Sequence, residues 1–183
     1  SLRVIADHVR AAVMLAADGV EPDSQEQGYY ARRLLRRAIR HAQMVGVEQD
    51  FLAQLVAPVV EVYADHYPAV AEKQERIEEV FANEEEKFAR ALRKGLAALD
   101  DIEELSGEVA FDLYQTYGFP YELTQEIAQE RDQDISRESF EAAKQAHAEK
   151  SRQSAAGKFS GGLADQSEQT TQYHTATHLL HAA

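Results

Sequence analysis

The sequence of 183 residues contains no cysteine and no tryptophan, and only four prolines and nine glycines. Without cysteine there is no disulfide framework and no thiolate metal site. No apolar run approaches the roughly 20 residues needed to cross a bilayer. The first ten residues, SLRVIADHVR, have neither the long apolar stretch nor the cleavage pattern of a signal peptide. The expectation is a soluble, cytoplasmic protein with no membrane partner. Scarce proline and glycine, with abundant Ala, Glu, Gln, Leu and Arg, favour helix.

Basic residues are also in deficit. Nineteen Lys and Arg face 32 Asp and Glu, giving a net charge of −13. A surface that acidic argues against a general DNA coat or a polybasic membrane face. The charge is unevenly spread. Residues 1–50 carry seven basic and seven acidic side chains, whereas residues 51–150 carry ten basic and 23 acidic. Five of the seven arginines in the first segment are clustered: Arg32, Arg33, Arg36, Arg37 and Arg40.

Apolar residues recur at helical spacing over most of the chain. Residues 3–17 read as one helix and residues 28–45 as a second, with Tyr30, Leu34, Leu35, Ile39 and Met44 as its apolar members. Pro58 is expected to kink or restart a helix within 50–67. Pro68 suits the first turn of the longest helix, about 69–100. There Ile77, Phe81, Phe88, Leu92, Leu96 and Leu99 form the apolar stripe, and NEEEK at 83–87 is expected to face water. Short helices over 108–117 and 121–131 flank a Gly118-Phe119-Pro120 turn, and Ser136 is a candidate N-cap for a helix to about 154. The expected fold is an all-α helical bundle with one long spine helix (69–100) and a smaller C-terminal helical cluster. The organisation reads as an N-terminal helical part over 1–105, a C-terminal helical part over 106–154, a Gly/Ser/Gln-rich linker over 155–171, and the first turns of another helix over 172–183.

Two clusters carry chemistry. In a helix, Arg33, Arg36, Arg37 and Arg40 share a face with Arg32 beside them. Five guanidiniums that close repel one another unless anions lie opposite. One reading is a phosphate-binding face, because arginine's fork matches phosphate oxygens. The other is a helical interaction module whose arginines pair with the protein's own acidic half or an acidic protein. His8 and His41 lie beside arginines and could touch phosphate or simply sit at the surface. The second cluster is His174, His178 and His181. His174 and His178 stand four residues apart and could share one metal ion, but no Cys or acidic residue completes the set. No Gly-rich phosphate loop follows a strand pattern, and Gly161-Gly162 is no exception.

SLRVIADHVR (1–10), ADGVEP (17–22), GYYARRLLRRAIRHAQMVG (28–46), NEEEKFARALRKGL (83–96), LYQTYGFPYELT (113–124) and YHTATHLLHAA (173–183) together resemble the alanyl-tRNA synthetases. They occur in the family's order and cover most of the chain. The resemblance implies that residues 1 to about 153 correspond to the helical region recognising the acceptor stem of tRNA(Ala). It places Arg32, Arg33, Arg36, Arg37 and Arg40 at phosphate contacts. It also implies that the ATP- and Mg-binding class II core lies elsewhere in the enzyme, so that this chain alone is expected to be inactive and to hold no cofactor.

In the family an Asn in the loop before the arginine helix and an Asp in the LYDTYGFP segment approach a G·U wobble pair. Those positions fall at Ser24 and Gln115 here, with Asp23 and Gln25 as neighbouring alternatives in the loop. Ser24 offers one hydroxyl, and Gln115 replaces a carboxylate with an amide that both donates and accepts. The resemblance further implies that His174 and His178 begin an editing domain's zinc site, whose later ligands are absent. A third reading, a zinc hydrolase of mischarged tRNA, would need those ligands. The family usually has a sizeable β-rich portion before this segment, whereas only about 18 residues separate the two parts here.

Overall fold

The computed structural model describes residues 1–47 and 50–156. The chain divides into two compact units, Ser1–Phe140 and Glu141–Ala183. Among the described residues every regular element is helical. In order they are α1 (Leu2–Ala17), α2 (Glu26–Met44), a 3-10 turn (Ala53–Leu55), α3 (Val56–Tyr63), α4 (Pro68–Glu72), α5 (Gln74–Asp100), α6 (Gly107–Tyr117), α7 (Tyr121–Glu130) and α8 (Arg137–Ala156).

Small residues bring α1 and α2 together. Ala12, Val13 and Ala16 of α1 and Ala31, Leu35, Ala38 and Ala42 of α2 are buried, forming the most extensive helix pairing among the described residues. The α2 face therefore differs in part from the expected one: Leu35 and Ile39 are buried, but Tyr30 and Met44 are exposed, and Ala31, Ala38 and Ala42 join the core. Ridges of alanine allow close helix approach, which larger side chains would prevent.

The spine is α5, which packs against α1, α2, α3 and α6. Its stripe of Ile77, Phe81, Phe88, Leu92 and Leu99 is buried as the spacing predicts. The expected single helix over 69–100 is instead two, α4 and α5, because Lys73 leaves helical geometry at φ −107°, ψ 10°. Its ammonium donates to the Ala17 carbonyl at 2.5 Å, satisfying an orphan acceptor near the C-terminus of α1. The 27 residues of α5 span about 40 Å. Pro68 begins α4, and Pro58 lies in the first turn of α3, where its missing N–H costs no intrahelical bond.

The NEEEK segment also departs from expectation. Glu84 and Glu85 are buried, not solvated. Glu84 meets arginines of α2. Glu85 accepts from the backbone N–H groups of Phe51 at 3.2 Å and Leu52 at 2.9 Å. It thereby caps the start of the 3-10/α3 segment from another helix.

Ser106 caps α6 by accepting from Val109 N at 3.3 Å. Ser136 does the same for α8, accepting from Ser139 N at 3.1 Å. Phe111, Tyr114, Tyr121 and Phe140 form an aromatic cluster joining α6, α7 and the start of α8. The sequence boundary expected at 105 thus falls inside the first compact unit. In the second unit, Glu141–Ala156 continues α8, with one-turn ion pairs between Lys144 and Glu141 and between Arg152 and Glu149.

Candidate nucleic-acid interface

The arginine helix is built as a ladder of ion pairs. Arg33 Nη1 lies 2.7 Å from Glu122, Arg37 pairs with Glu126, and Arg40 Nη2 lies 2.6 Å from Glu130. Glu122, Glu126 and Glu130 are spaced by four along α7, and their partners by four and three along α2. Residues at that spacing share a helix face. The pairs run in the same order on both helices, so α2 and α7 pass each other in the same direction. Arg36 and Arg32 turn instead toward Glu84 of α5, at 2.6 Å and 3.5 Å.

All five arginines therefore have an internal carboxylate. Their accessibility divides them. The side chains of Arg36 and Arg40 are only 6% and 7% exposed, whereas those of Arg32, Arg33 and Arg37 are 31%, 32% and 35% exposed. The five guanidiniums are thus not equally accessible: Arg36 is held in a buried pair with Glu84, and Arg40, itself buried, pairs with the half-exposed Glu130. The partners come from two other helices, Glu84 on α5 and the glutamate row on α7, which the sequence shows but does not bring opposite α2.

Arg36 has a different task. Its Nε donates to Glu84 Oε1 at 2.6 Å, its Nη1 donates to the Gly118 carbonyl, and its guanidinium lies 4.6 Å from the centre of the Phe88 ring. Burial pushes its proton affinity down, while Glu84 pulls it up. A guanidinium remains charged under either influence. Gly118 caps α6 at φ +70°, and a Cβ there would collide with Arg36 Nη1. The next residue, Phe119, is fully buried edge-on against Phe88. Arg36 and Phe119 together fix the α6–α7 turn on α2 and α5.

The opposite wall is the loop between α1 and α2. Gly28 lets this loop fold onto the start of α2, since a Cβ there would lie 2.6 Å from the Asp23 Cβ and 2.7 Å from the Glu21 carbonyl. Asp23 N donates to the Gly28 carbonyl at 3.0 Å. Arg76 of α5 holds Glu21 with two bonds, at 2.8 and 2.9 Å. Ser24 is exposed at the loop's tip, and its hydroxyl lies 3.2 Å from Asp23 Oδ1.

Between these segments lies a cleft of about 290 Å³, lined by Ser24 of the α1–α2 loop, Tyr29, Arg32, Arg33 and Arg36 of α2, Tyr114 and Gln115 of α6, and Gly118 and Pro120 of the turn that follows. Two positions 91 apart in sequence, Ser24 and Gln115, therefore border one concavity. Burial, and then the Glu122 carboxylate, push the Tyr29 phenol up to about 12, so that it stays protonated as a hydrogen-bond donor.

The sequence reading missed three groups here. Tyr29 and Tyr114 line the cleft, although tyrosines in a helical pattern read as core. Arg137, the first residue of α8, reaches Glu122 Oε1 at 3.3 Å and lies 5.3 Å over the Tyr121 ring. No local spacing connects it with the α2 arginines.

His8 and His41 border the ladder. His8 Nε2 is 2.9 Å from Arg37 Nη1, and His41 Nε2 is 3.7 Å from Glu126 Oε2. Burial lowers the proton affinity of both rings. Among the described residues no group of three His, Asp or Glu side chains is arranged to hold a metal ion, and no helix is long and apolar enough to cross a membrane. His174 and His178 lie outside the described residues.

The first unit is thus all-helical and carries an arginine-lined cleft on a chain whose overall charge is acidic. Residues 1–182 match the family model for class II tRNA synthetases (A), and the chain belongs to that family. It is 45% identical over 194 aligned positions to an alanine–tRNA ligase of Treponema pallidum (strain Nichols), an alignment covering 100% of this chain and 32% of that protein. It is 43% identical over 190 positions to an alanine–tRNA ligase of Borreliella afzelii (strain PKo), with 100% and 32% covered. To the alanine–tRNA ligase of Xanthomonas campestris pv. campestris (strain B100) it is 45% identical over 169 positions, with 90% and 19% covered. The chain thus spans a third or less of the length of these relatives. All 183 residues fit within 194 positions of the Treponema alignment. The short spacing between the helical region and the histidine segment therefore meets no insertion of domain size there.

Proposed function

We propose that this chain is the tRNA-recognition part of an alanine–tRNA ligase and that its cleft receives the acceptor stem of tRNA(Ala). The observation carrying this reading is the convergence of Ser24, Gln115, Arg32 and Arg33 on one concavity. Partly exposed guanidiniums lining the cleft suit backbone phosphates, and the polar side chains of Ser24 and Gln115 suit base edges. Phosphate contacts position a duplex, whereas base-edge contacts specify its sequence. Ser24 and Gln115 are the proposed readers of the wobble pair. Arg37 supplies a flanking charge, and Arg36 and Arg40 act through structure. The acidic remainder of the surface repels RNA elsewhere. In this proposal the protein works in the cytoplasm with the rest of the synthetase. ATP and magnesium belong to the catalytic core, and zinc to an editing domain completed beyond His174 and His178.

The test is equilibrium binding of an RNA duplex carrying the acceptor-stem sequence, at several salt concentrations. Arg32→Glu/Arg33→Glu should weaken binding at least tenfold and flatten the salt dependence by roughly one to two phosphate contacts. Replacing the G·U pair by G·C should weaken it further only while Ser24 and Gln115 are intact. Unchanged affinity in the double arginine variant would overturn the reading.

A second reading, a helical protein-interaction module, has one observation in its favour: each of the five α2 arginines is paired with an internal carboxylate. Under it, the same duplex fails to bind at physiological salt.

A further inference from the structure

Two arginines from distant parts of the sequence, Arg33 on α2 and Arg137 on α8, converge on one oxygen of one carboxylate. Arg33 Nη1 is 2.7 Å and Arg137 Nη1 is 3.3 Å from Glu122 Oε1. The side chains of Arg33 and Arg137 are 32% and 57% exposed, and Arg33 lines the cleft. The other oxygen, Glu122 Oε2, is buried with no hydrogen-bond partner. The two guanidiniums are backed by the Tyr30 and Tyr121 rings, each 5.3 Å away.

We propose that Arg33 and Arg137 form a phosphate seat for double-stranded RNA and that Glu122 is its resident competing anion, making Glu122 a specificity-determining residue. The inference rests on the RNA-stem reading of the cleft. A phosphodiester offers two charged oxygens to arginine forks, where Glu122 gives both arginines the same single oxygen. An arriving backbone therefore competes with Glu122 for the same two guanidiniums. The Arg33–Glu122 pair is only partly exposed, so drawing the arginines away from it carries a modest cost. A duplex that also makes base-edge contacts at Ser24 and Gln115 offsets that cost, whereas an unrelated duplex with phosphates alone does not. The carboxylate thus suppresses sequence-independent binding, which arginines left free would encourage.

The experiment uses the 183-residue chain and two labelled RNA duplexes of equal length, one with the acceptor-stem sequence and one scrambled, followed by fluorescence anisotropy over a salt series. Glu122→Gln should raise affinity for the scrambled duplex roughly three- to tenfold. The stem duplex should gain less, so discrimination falls. Adding Arg33→Gln and Arg137→Gln to that variant should abolish the gain. Arg137→Gln alone should weaken stem binding and reduce the salt slope by about one contact.

Two results overturn the proposal. One is a folded Glu122→Gln protein whose scrambled-duplex affinity stays at or below wild type. The other is a gain that survives loss of both arginines. Should Glu122→Gln not fold, an Arg137→Gln protein that binds the stem with unchanged affinity and salt slope has the same force. Failure of the wild-type chain to bind either duplex removes the RNA-stem reading itself. Normal wild-type discrimination with an indifferent Glu122→Gln variant removes only this inference.

Discussion

Arg36 and Gly118 lie 82 residues apart in sequence, and a hydrogen bond from the guanidinium to the Gly118 carbonyl joins the arginine helix to the turn bearing the far wall of the cleft. Glu84 completes the arrangement from the spine helix. The cleft's geometry is therefore set by a buried charge as well as by apolar packing.

Replacing Arg36 should be far more damaging than replacing its surface neighbours. Arg36→Met leaves the Gly118 carbonyl without its donor and Glu84 with only Arg32, at 3.5 Å, which should cost about 3 kcal/mol. Arg33→Met, at a partly exposed pair, should cost under about 1 kcal/mol. Urea unfolding of both variants checks the ratio. Glu84→Gln should fall between them.

Gly118→Ala tests the turn from the other side. The backbone there is at φ +70°, and the added Cβ meets Arg36 Nη1. A left-handed non-glycine residue costs of order 1–2 kcal/mol before any clash. The expected loss is at least about 2 kcal/mol in chemical denaturation, with weaker stem binding because the Gln115 wall shifts.

Glu85 predicts a pH dependence of stability. Burial raises its carboxyl above the usual range, while the Phe51 and Leu52 N–H groups oppose the rise. A carboxyl raised in the folded state binds protons more readily there than in the unfolded chain. Its stabilising contribution is therefore present at low pH and is lost as pH rises from about 4.5 through the raised folded value. Glu85→Gln should flatten that part of the stability–pH curve. Glu85→Ala orphans two backbone donors and should cost about 2 kcal/mol at every pH. Unfolding midpoints between pH 4 and 7 distinguish the two.

His8 acts in the opposite sense. Burial, and then Arg37, lower its proton affinity. The unfolded chain takes up that proton first, so stability is held above about 6.5 and is lost as pH falls through the lowered folded value. Groups facing His8 include Arg37, Asp7, His41 and Glu126. His8→Gln should reduce the loss below about pH 6.5, leaving the part that His41 contributes in the same sense, measured by thermal unfolding. A variant as acid-sensitive as wild type in that window would contradict the assignment.

The fold was largely legible because helix periodicity and caps are local. The stripe Ile77–Phe81–Phe88–Leu92–Leu99 (with Leu96, also expected there, only half-buried), the Ser136 cap and the Gly118-Phe119-Pro120 turn were readable from spacing, whereas the Ser106 cap was not read. What failed depended on distant partners. Lys73 breaks the long helix because it reaches Ala17. Glu84 and Glu85 looked solvated because their partners, Arg36 and the backbone at 51–52, lie 48 and some 34 residues away. The same holds at the cleft. The arginines were visible as a cluster, but their carboxylate partners, Glu84 on α5 and Glu122, Glu126 and Glu130 on α7, lie on other helices. Placing Ser24 opposite Gln115 required the family resemblance, since no spacing relates them.

The most direct test of the central claim is to locate the RNA on the protein. An acceptor-stem duplex with a photoreactive 4-thiouridine at the wobble position would be cross-linked to the chain and the attachment peptides mapped. The account predicts attachment within residues 20–33 and 113–121, reduced by competing unlabelled stem and by Arg32→Glu/Arg33→Glu. Attachment instead along the acidic 98–108 stretch, or on the α1/α3 face around Pro58 and Val62, would contradict it.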